Sequence, residues 1–164
     1  TGELFGVRRD QVGRKLSGRA AQALADRMVG ELLRRCRKLQ QQLFDAVDAV
    51  YAAGIRHFIC GMARGVDTYC AEIVLALRPQ YPDLTLEAAI PCPSQCGGWT
   101  PDQQARWHAI VDRCDFETVV QDRYGPGCMQ RRNRYMVDHA ARLIAVFDGQ
   151  DGGTRRTVEY ALRS

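Results

Sequence analysis

The sequence predicts an α/β protein in which a mainly parallel sheet lies between two layers of helices. Strand-like and helix-like segments alternate from Gly54 to the end of the chain. The helical segments are long enough to form the crossovers that parallel strands require. Glycine-rich loops follow directly after strands, where such sheets bind ligands. Together these observations indicate a Rossmann-like, three-layer α/β/α fold with a ligand site at the carboxyl ends of the strands.

Composition is typical of one globular domain with a real core: the chain has 164 residues, of which 46% are apolar and 26% charged. A net charge of +4 is too small for the basic face of many dedicated DNA-binding modules, although it permits an anionic ligand. No apolar run approaches the roughly 18 residues of a membrane span, so we expect no membrane partner. Seven scattered cysteines favour a reduced, cytoplasmic location over a disulfide framework.

The domain boundary is predicted near the start of the chain. Residues 1–18 are basic, punctuated by glycine and without a clear period, which predicts an irregular arm. Residues 19–164 are predicted to form a single domain. The chain begins without methionine and stops directly after a helical pattern, so the prediction allows for an outer strand beyond either end.

Apolar residues at three- and four-residue spacings predict a long helix over residues 19–53, which Gly54 ends. We regard this helix as the candidate surface for a homodimer. Beyond it, period and composition predict alternating strands and helices. The predicted strands are 55–60, 84–90, 116–120 and 142–147, and the predicted helices are 66–78, 102–114, 130–140 and 154–162.

The loop after the first strand carries the first candidate site. Gly61 and Gly65 would let the backbone approach a ligand, and amides at the start of the next helix would face it. Arg64 and Asp67 lie in the same loop, and Asp67 is placed to hold a ribose hydroxyl or a base edge. The alternatives are a simple tight turn for the glycines and a helix cap for Asp67.

A second candidate lies at the start of the 130–140 helix, where Arg131, Arg132 and Arg134 would hold a phosphate or carboxylate. The alternative is a solvated face paired with acids such as Asp138. A third loop opens the last helix, and its Gly152, Gly153 and Thr154 form a second predicted cradle.

Other conspicuous residues lie in and after the loop that follows the second strand. Trp99, Trp107 and His108 would suit stacking on a base, with ordinary packing as the alternative. Cys92 and Cys96 are spaced like half of a metal site, but no second close pair completes one. We therefore expect no metal and no other cofactor.

The chain resembles the SLOG superfamily, and within it the YpsA-like group most closely. That superfamily also contains the DNA-processing protein Smf/DprA and the LOG phosphoribohydrolases. The resemblance runs from about Gly54 to the end of the chain. It is carried by GMARGVD at 61–67, RRNRYMVDHA at 131–140, LIAVFDG at 143–149 and GGTRRTVEYAL at 152–162.

The resemblance implies a module that binds or senses a nucleotide or a nucleotide derivative on these glycine-rich loops. Against the phosphoribohydrolase motif, Gly152, Gly153 and Glu159 match, whereas Arg155 and Arg156 stand where that family has glycine and threonine. The alternative function is hydrolysis of the N-glycosidic bond of a nucleoside monophosphate.

In that hydrolase, Glu159 or Glu72 would be the catalytic carboxylate. A further alternative is binding of single-stranded nucleic acid by the basic first 40 residues together with Arg131, Arg132 and Arg134. The expected partner is thus a nucleotide-like small molecule or a single-stranded nucleic acid.

Overall fold

The computed structural model describes residues 18–164, apart from the side chains of residues 18–21, 24 and 25. The predicted arm therefore lies outside the described residues, except for Gly18. The chain divides into two compact units, one ending at Gln42 and the other comprising Leu43–Ser164. In the described part of the chain, no helix is both long and apolar enough to cross a membrane.

The helices and strands follow the predicted order closely. Helix α1 ends one residue before the predicted boundary, and the chain then turns through Gly54, whose φ of 94° is strained for other residues. The helices are α1 (Gly18–Ala52), α2 (Val66–Leu77), α3 (Pro101–Val111), α4 (Cys128–Asp138) and α5 (Gly153–Ala161), and the strands are β1 (His57–Cys60), β2 (Thr85–Ile90) and β3 (Phe116–Val119).

The three strands form a parallel sheet in the order β1-β2-β3. Cys60 lies opposite Ala88 and Ile90 opposite Val119, so the carboxyl ends of the strands share one edge. Helices α2 and α3 supply the crossovers between successive parallel strands. This arrangement confirms the predicted α/β, Rossmann-like class.

One face of the sheet holds the main apolar core. Leu86, Ala88 and Ile90 alternate along β2 and are completely or almost completely buried. Val47 of α1 and Val74 of α2 belong to the same buried cluster.

The opposite face of β2 carries a buried carboxylate instead. Glu87 accepts hydrogen bonds from Tyr135 of α4 at 2.7 Å and from His57 of β1 at 3.0 Å. Burial raises the pKa of Glu87, but hydrogen bonds from Tyr135, Thr118 and His57 outweigh it, so the pKa lies below its ordinary 4.5. The Tyr135 bond attaches α4 to the sheet, and thereby positions Arg132 one turn earlier on that helix.

Tyr135→Phe is expected to lower the free energy of unfolding by about 1.5–3 kcal/mol near pH 7, because it removes a bond to a buried charged group. A lowered folded-state pKa stabilises the protein above the ordinary value, and that stabilisation disappears as the pH falls through the folded value. The deficit of the variant should therefore shrink below about pH 4.5. Urea titrations of both proteins from pH 3 to 7 measure this, and a deficit that is constant with pH would contradict it.

The predicted strand over 142–147 is wrong for the described structure, which has neither strand nor helix there. Leu143, Val146 and Phe147 are each about 40% exposed, although this is the most apolar of the predicted strands. A strand exists only where a neighbour completes its backbone hydrogen bonds. Among the described residues, β1 pairs with β2 alone and leaves this segment without a partner.

Candidate functional site

The loop between β1 and α2 turns sharply at the carboxyl edge of the sheet. Met62 is completely buried with a left-handed φ of 57°, and Gly65 has a φ of 93°. Gly65 is also the N-cap of α2, so no side chain caps the first amides of that helix. Asp67 stabilises the turn by accepting a hydrogen bond from the Ala63 amide at 3.1 Å. Uncapped amides at a helix start are well suited to an anion.

Arg132 of α4 lies directly against Gly61 in this loop. A Cβ atom built on Gly61 would stand 2.6 Å from Arg132 Cζ and 2.8 Å from Asp67 Oδ2. Both distances are shorter than real Cβ contacts, so a side chain at this position would displace the ends of the Arg132 and Asp67 side chains. The φ of Gly61 is not among the left-handed ones, which leaves the approach of Arg132 as the reason for the glycine.

The Arg132 guanidinium is buried without full neutralisation. Its side chain is 5% exposed, and its Nη1 lies 3.9 Å from Asp67 Oδ2, too far for a hydrogen bond. Nε donates to Asn133 Oδ1 at 2.9 Å, but Nη1 has no hydrogen-bond partner in the structure. Burial lowers the pKa of Arg132, and nearby Asp67 opposes that shift. A buried cation with an unpaired donor has strong affinity for an anion.

Gln95 adds a second buried polar group at the same glycine. Its Nε2 donates to the Gly61 carbonyl at 3.1 Å, and its Oε1 has no partner in the structure. The surroundings of Gly61 therefore hold an unpaired acceptor, Gln95 Oε1, as well as an unpaired donor, Arg132 Nη1. Sequence reasoning missed Gln95, because only the fold brings the loop after β2 beside the loop after β1.

The aromatic residues of that region mainly pack. Trp107 is 6% exposed and belongs to the core, which supports the packing interpretation over stacking for this residue. Trp99 is half-buried against the same core. Its ring centroid lies 5.5 Å from the guanidinium carbon of Arg64, a cation–π distance.

Some of the other predicted site residues line a separate groove between α4 and α5. Its cavity of about 220 Å³ is lined by Arg134, Gly153 and Glu159, among others. Asn133 links this groove to Arg132: its Nδ2 donates to Thr157 Oγ1, while its Oδ1 accepts from Arg132.

Within the groove, Glu159 accepts a hydrogen bond from Arg155 at 2.8 Å. That bond is the main reason why the pKa of Glu159 lies below its ordinary value, with burial opposing it and Arg163 and Arg156 adding to it. Glu159 is therefore ionised at neutral pH. Gly152 and Thr154 lie exposed at the start of α5.

Glu72 pairs with a residue of the neighbouring helix α3. Both of its carboxylate oxygens accept hydrogen bonds from Arg106 of α3 at 2.6 Å, which connects α2 to α3. The structure thus brings together Gly61, Asp67 and Arg132, and pairs Glu72 with a cation.

Glu72→Gln is expected to lower the free energy of unfolding by less than about 1 kcal/mol, because its side chain and that of Arg106 are both about 40% exposed. Ligand affinity should stay unchanged. Thermal unfolding and calorimetric titration of the variant measure the two effects. Loss of a measurable base-release activity on nucleotides would instead assign the carboxylate a catalytic role.

Comparison with known proteins gives one family. The YpsA model, described as the YspA SLOG family, matches residues 31–163. The SPbeta prophage-derived protein YoqJ of Bacillus subtilis is 27% identical over 140 residues, which are 77% of this chain and 82% of that protein.

Two further relatives carry the name UPF0398. The UPF0398 protein SH1465 of Staphylococcus haemolyticus is 30% identical over 55% of this chain, and a UPF0398 protein of Bacillus thuringiensis is 25% identical over 67%. The chain spans 49% and 61% of these two relatives. Since the family model covers most of the sequence and includes every residue of the candidate site, the chain belongs to the YpsA family of SLOG proteins.

Proposed function

We propose that this protein binds a phosphorylated, nucleotide-like ligand whose anionic group contacts Arg132 above Gly61. The observation that carries the proposal is the buried, incompletely paired guanidinium of Arg132, which lies directly against the backbone of Gly61. A phosphate oxygen would accept from Nη1, and the first amides of α2 would add further donors. No chemical step is part of the proposal.

Two neighbouring groups support the proposal that the phosphorylated ligand is nucleotide-like. Gln95 Oε1 is a buried acceptor that would pair with a donor such as a sugar hydroxyl or a base amine. Exposed Arg64 lies over the ring of half-buried Trp99 in the loops that follow β1 and β2, where a base plane could stack. Membership of the SLOG superfamily agrees with such a ligand.

Calorimetric titration with matched pairs of 5′-nucleoside monophosphates and nucleosides tests the proposal. A charge-assisted contact of about 1.5–3 kcal/mol predicts that a monophosphate binds roughly 10- to 150-fold more tightly than its own nucleoside. Equal affinities within every pair would contradict it. Binding confined to a short single-stranded oligonucleotide and abolished by high salt would favour the nucleic-acid alternative instead.

A further inference from the structure

The side chain of Asn133 connects the Arg132–Gly61 site to helix α5. Its Oδ1 accepts a hydrogen bond from Arg132 Nε at 2.9 Å, and its Nδ2 donates to Thr157 Oγ1 at 2.8 Å. Thr157 Oγ1 in turn donates to the carbonyl oxygen of Gly153, one turn earlier in α5, at 2.9 Å. A chain of three hydrogen bonds therefore runs from Arg132 to the first turn of α5.

The partners at the two ends of this chain admit only one orientation of the Asn133 amide. Arg132 Nε is a donor, so the atom that faces it must be the amide oxygen. A carbonyl oxygen can only accept, so the single hydroxyl hydrogen of Thr157 points to Gly153 and leaves Oγ1 as an acceptor. The amide nitrogen must then face Thr157. Asn133 is thus held with its oxygen toward the arginine.

An uncharged acceptor beside Arg132 leaves the charge of the guanidinium available to another anion. The Arg132 side chain is 5% exposed, and Asp67 Oδ2 lies 3.9 Å from Nη1, which has no hydrogen-bond partner in the structure. A carboxylate in place of the Asn133 amide would form a charge-assisted pair with Nε and would repel a phosphate. Asparagine therefore orients the guanidinium without neutralising it.

We propose that Asn133 is a positioning residue of the anion site, which orients Arg132 for a phosphate oxygen and is itself held in place by Thr157. This role rests on the proposed function, and it makes an uncharged side chain at position 133 a requirement for binding a phosphorylated ligand. The preference of the site for phosphorylated over unphosphorylated ligands then depends on two residues that do not contact the phosphate. It depends also on the first turn of α5, which orients the Thr157 hydroxyl.

Asn133→Asp tests the proposal by calorimetric titration with the 5′-monophosphates of adenosine, guanosine, cytidine and uridine, each compared with its own nucleoside. We expect the affinity for a bound monophosphate to fall by roughly ten-fold or more, because the introduced carboxylate pairs with Arg132 and repels the phosphate. The affinity for the nucleoside should stay unchanged. Gln130→Glu is the matched control, since it adds the same charge at an exposed position of α4 and should keep the preference for the monophosphate.

Thr157→Val tests the other end of the hydrogen-bond chain without adding a charge. Valine cannot accept a hydrogen bond from Asn133, so we expect the preference for the monophosphate to fall by roughly two- to five-fold. Thr157→Ser keeps the hydroxyl and should restore the preference. These two variants test the proposal even if Asn133→Asp does not fold.

Two results would overturn the role of Asn133 alone. One is a preference for the monophosphate that survives either Asn133→Asp or Thr157→Val. The other is an equal loss of affinity for monophosphate and nucleoside together with a lower free energy of unfolding, which a purely structural role would give. If the unchanged protein prefers no monophosphate over its nucleoside, the proposed function fails, and the role of Asn133 fails with it.

Discussion

Arg132→Met is expected to weaken binding of a nucleoside monophosphate by roughly 10- to 150-fold, which corresponds to a lost charge-assisted contact of about 1.5–3 kcal/mol. The free energy of unfolding should not fall with the affinity. It should stay unchanged or rise by up to about 4 kcal/mol. Replacing a buried, poorly paired charge with an apolar side chain of similar length is commonly neutral or stabilising. Asp67 is one-third exposed, so water can solvate it once the cation is gone.

Loss of affinity without loss of stability distinguishes a binding residue from a structural one. Calorimetric titration and urea unfolding of the same preparation measure both quantities. Arg131→Met is the matched control, because Arg131 is the exposed neighbour on the same helix and donates to Gln121 at 2.6 Å. It should bind nearly as tightly as the unchanged protein. A marked loss of stability in Arg132→Met with unchanged affinity would make Arg132 structural.

Gly61→Ala is expected to lower the free energy of unfolding by about 1–3 kcal/mol and to weaken ligand binding together with it. The new methyl group would overlap the Arg132 guanidinium and Asp67 Oδ2, so the arginine must leave its position. Gly98→Ala is the control, since a Cβ there meets nothing within 4 Å. It should change stability by no more than about 0.5 kcal/mol.

A double-mutant cycle shows whether the cost of Gly61→Ala comes from Arg132. In an Arg132→Ala background the nearest atoms are removed and only Asp67 remains close, so Gly61→Ala should cost clearly less than it does alone. Thermal or urea unfolding of the four proteins gives the coupling energy. Equal costs in both backgrounds would contradict the close packing of these two residues.

Much of the fold could be predicted from local pattern. Apolar spacing and Gly54 gave the end of α1 to within one residue, and the strand–helix alternation gave the parallel sheet. The segment 142–147 shows the limit of this reasoning. Its composition favours a strand, yet a strand also needs a neighbour with free backbone groups, which no local pattern specifies.

The candidate site was predictable in its parts and not in its assembly. GMARGVD marks a turn close to a ligand, and RRNRYMVD marks a cationic helix start. Nothing in either segment shows that Arg132 lies on Gly61, since that contact depends on how α4 packs on the sheet. The hydrogen bond between Glu87 and Tyr135 attaches α4 to the sheet. Glu87 lies within an apolar run whose pattern predicts a strand and nothing more.

The most direct test of the Arg132–Gly61 site is a crystal structure of the protein with the nucleoside monophosphate that binds most tightly. The proposed contact predicts a phosphate oxygen within hydrogen-bonding distance of Arg132 Nη1, about 2.7–3.2 Å, over the Gly61 backbone. A ligand held only in the groove between α4 and α5, against Arg156 and Glu159 and with Arg132 still beside Asp67, would contradict it.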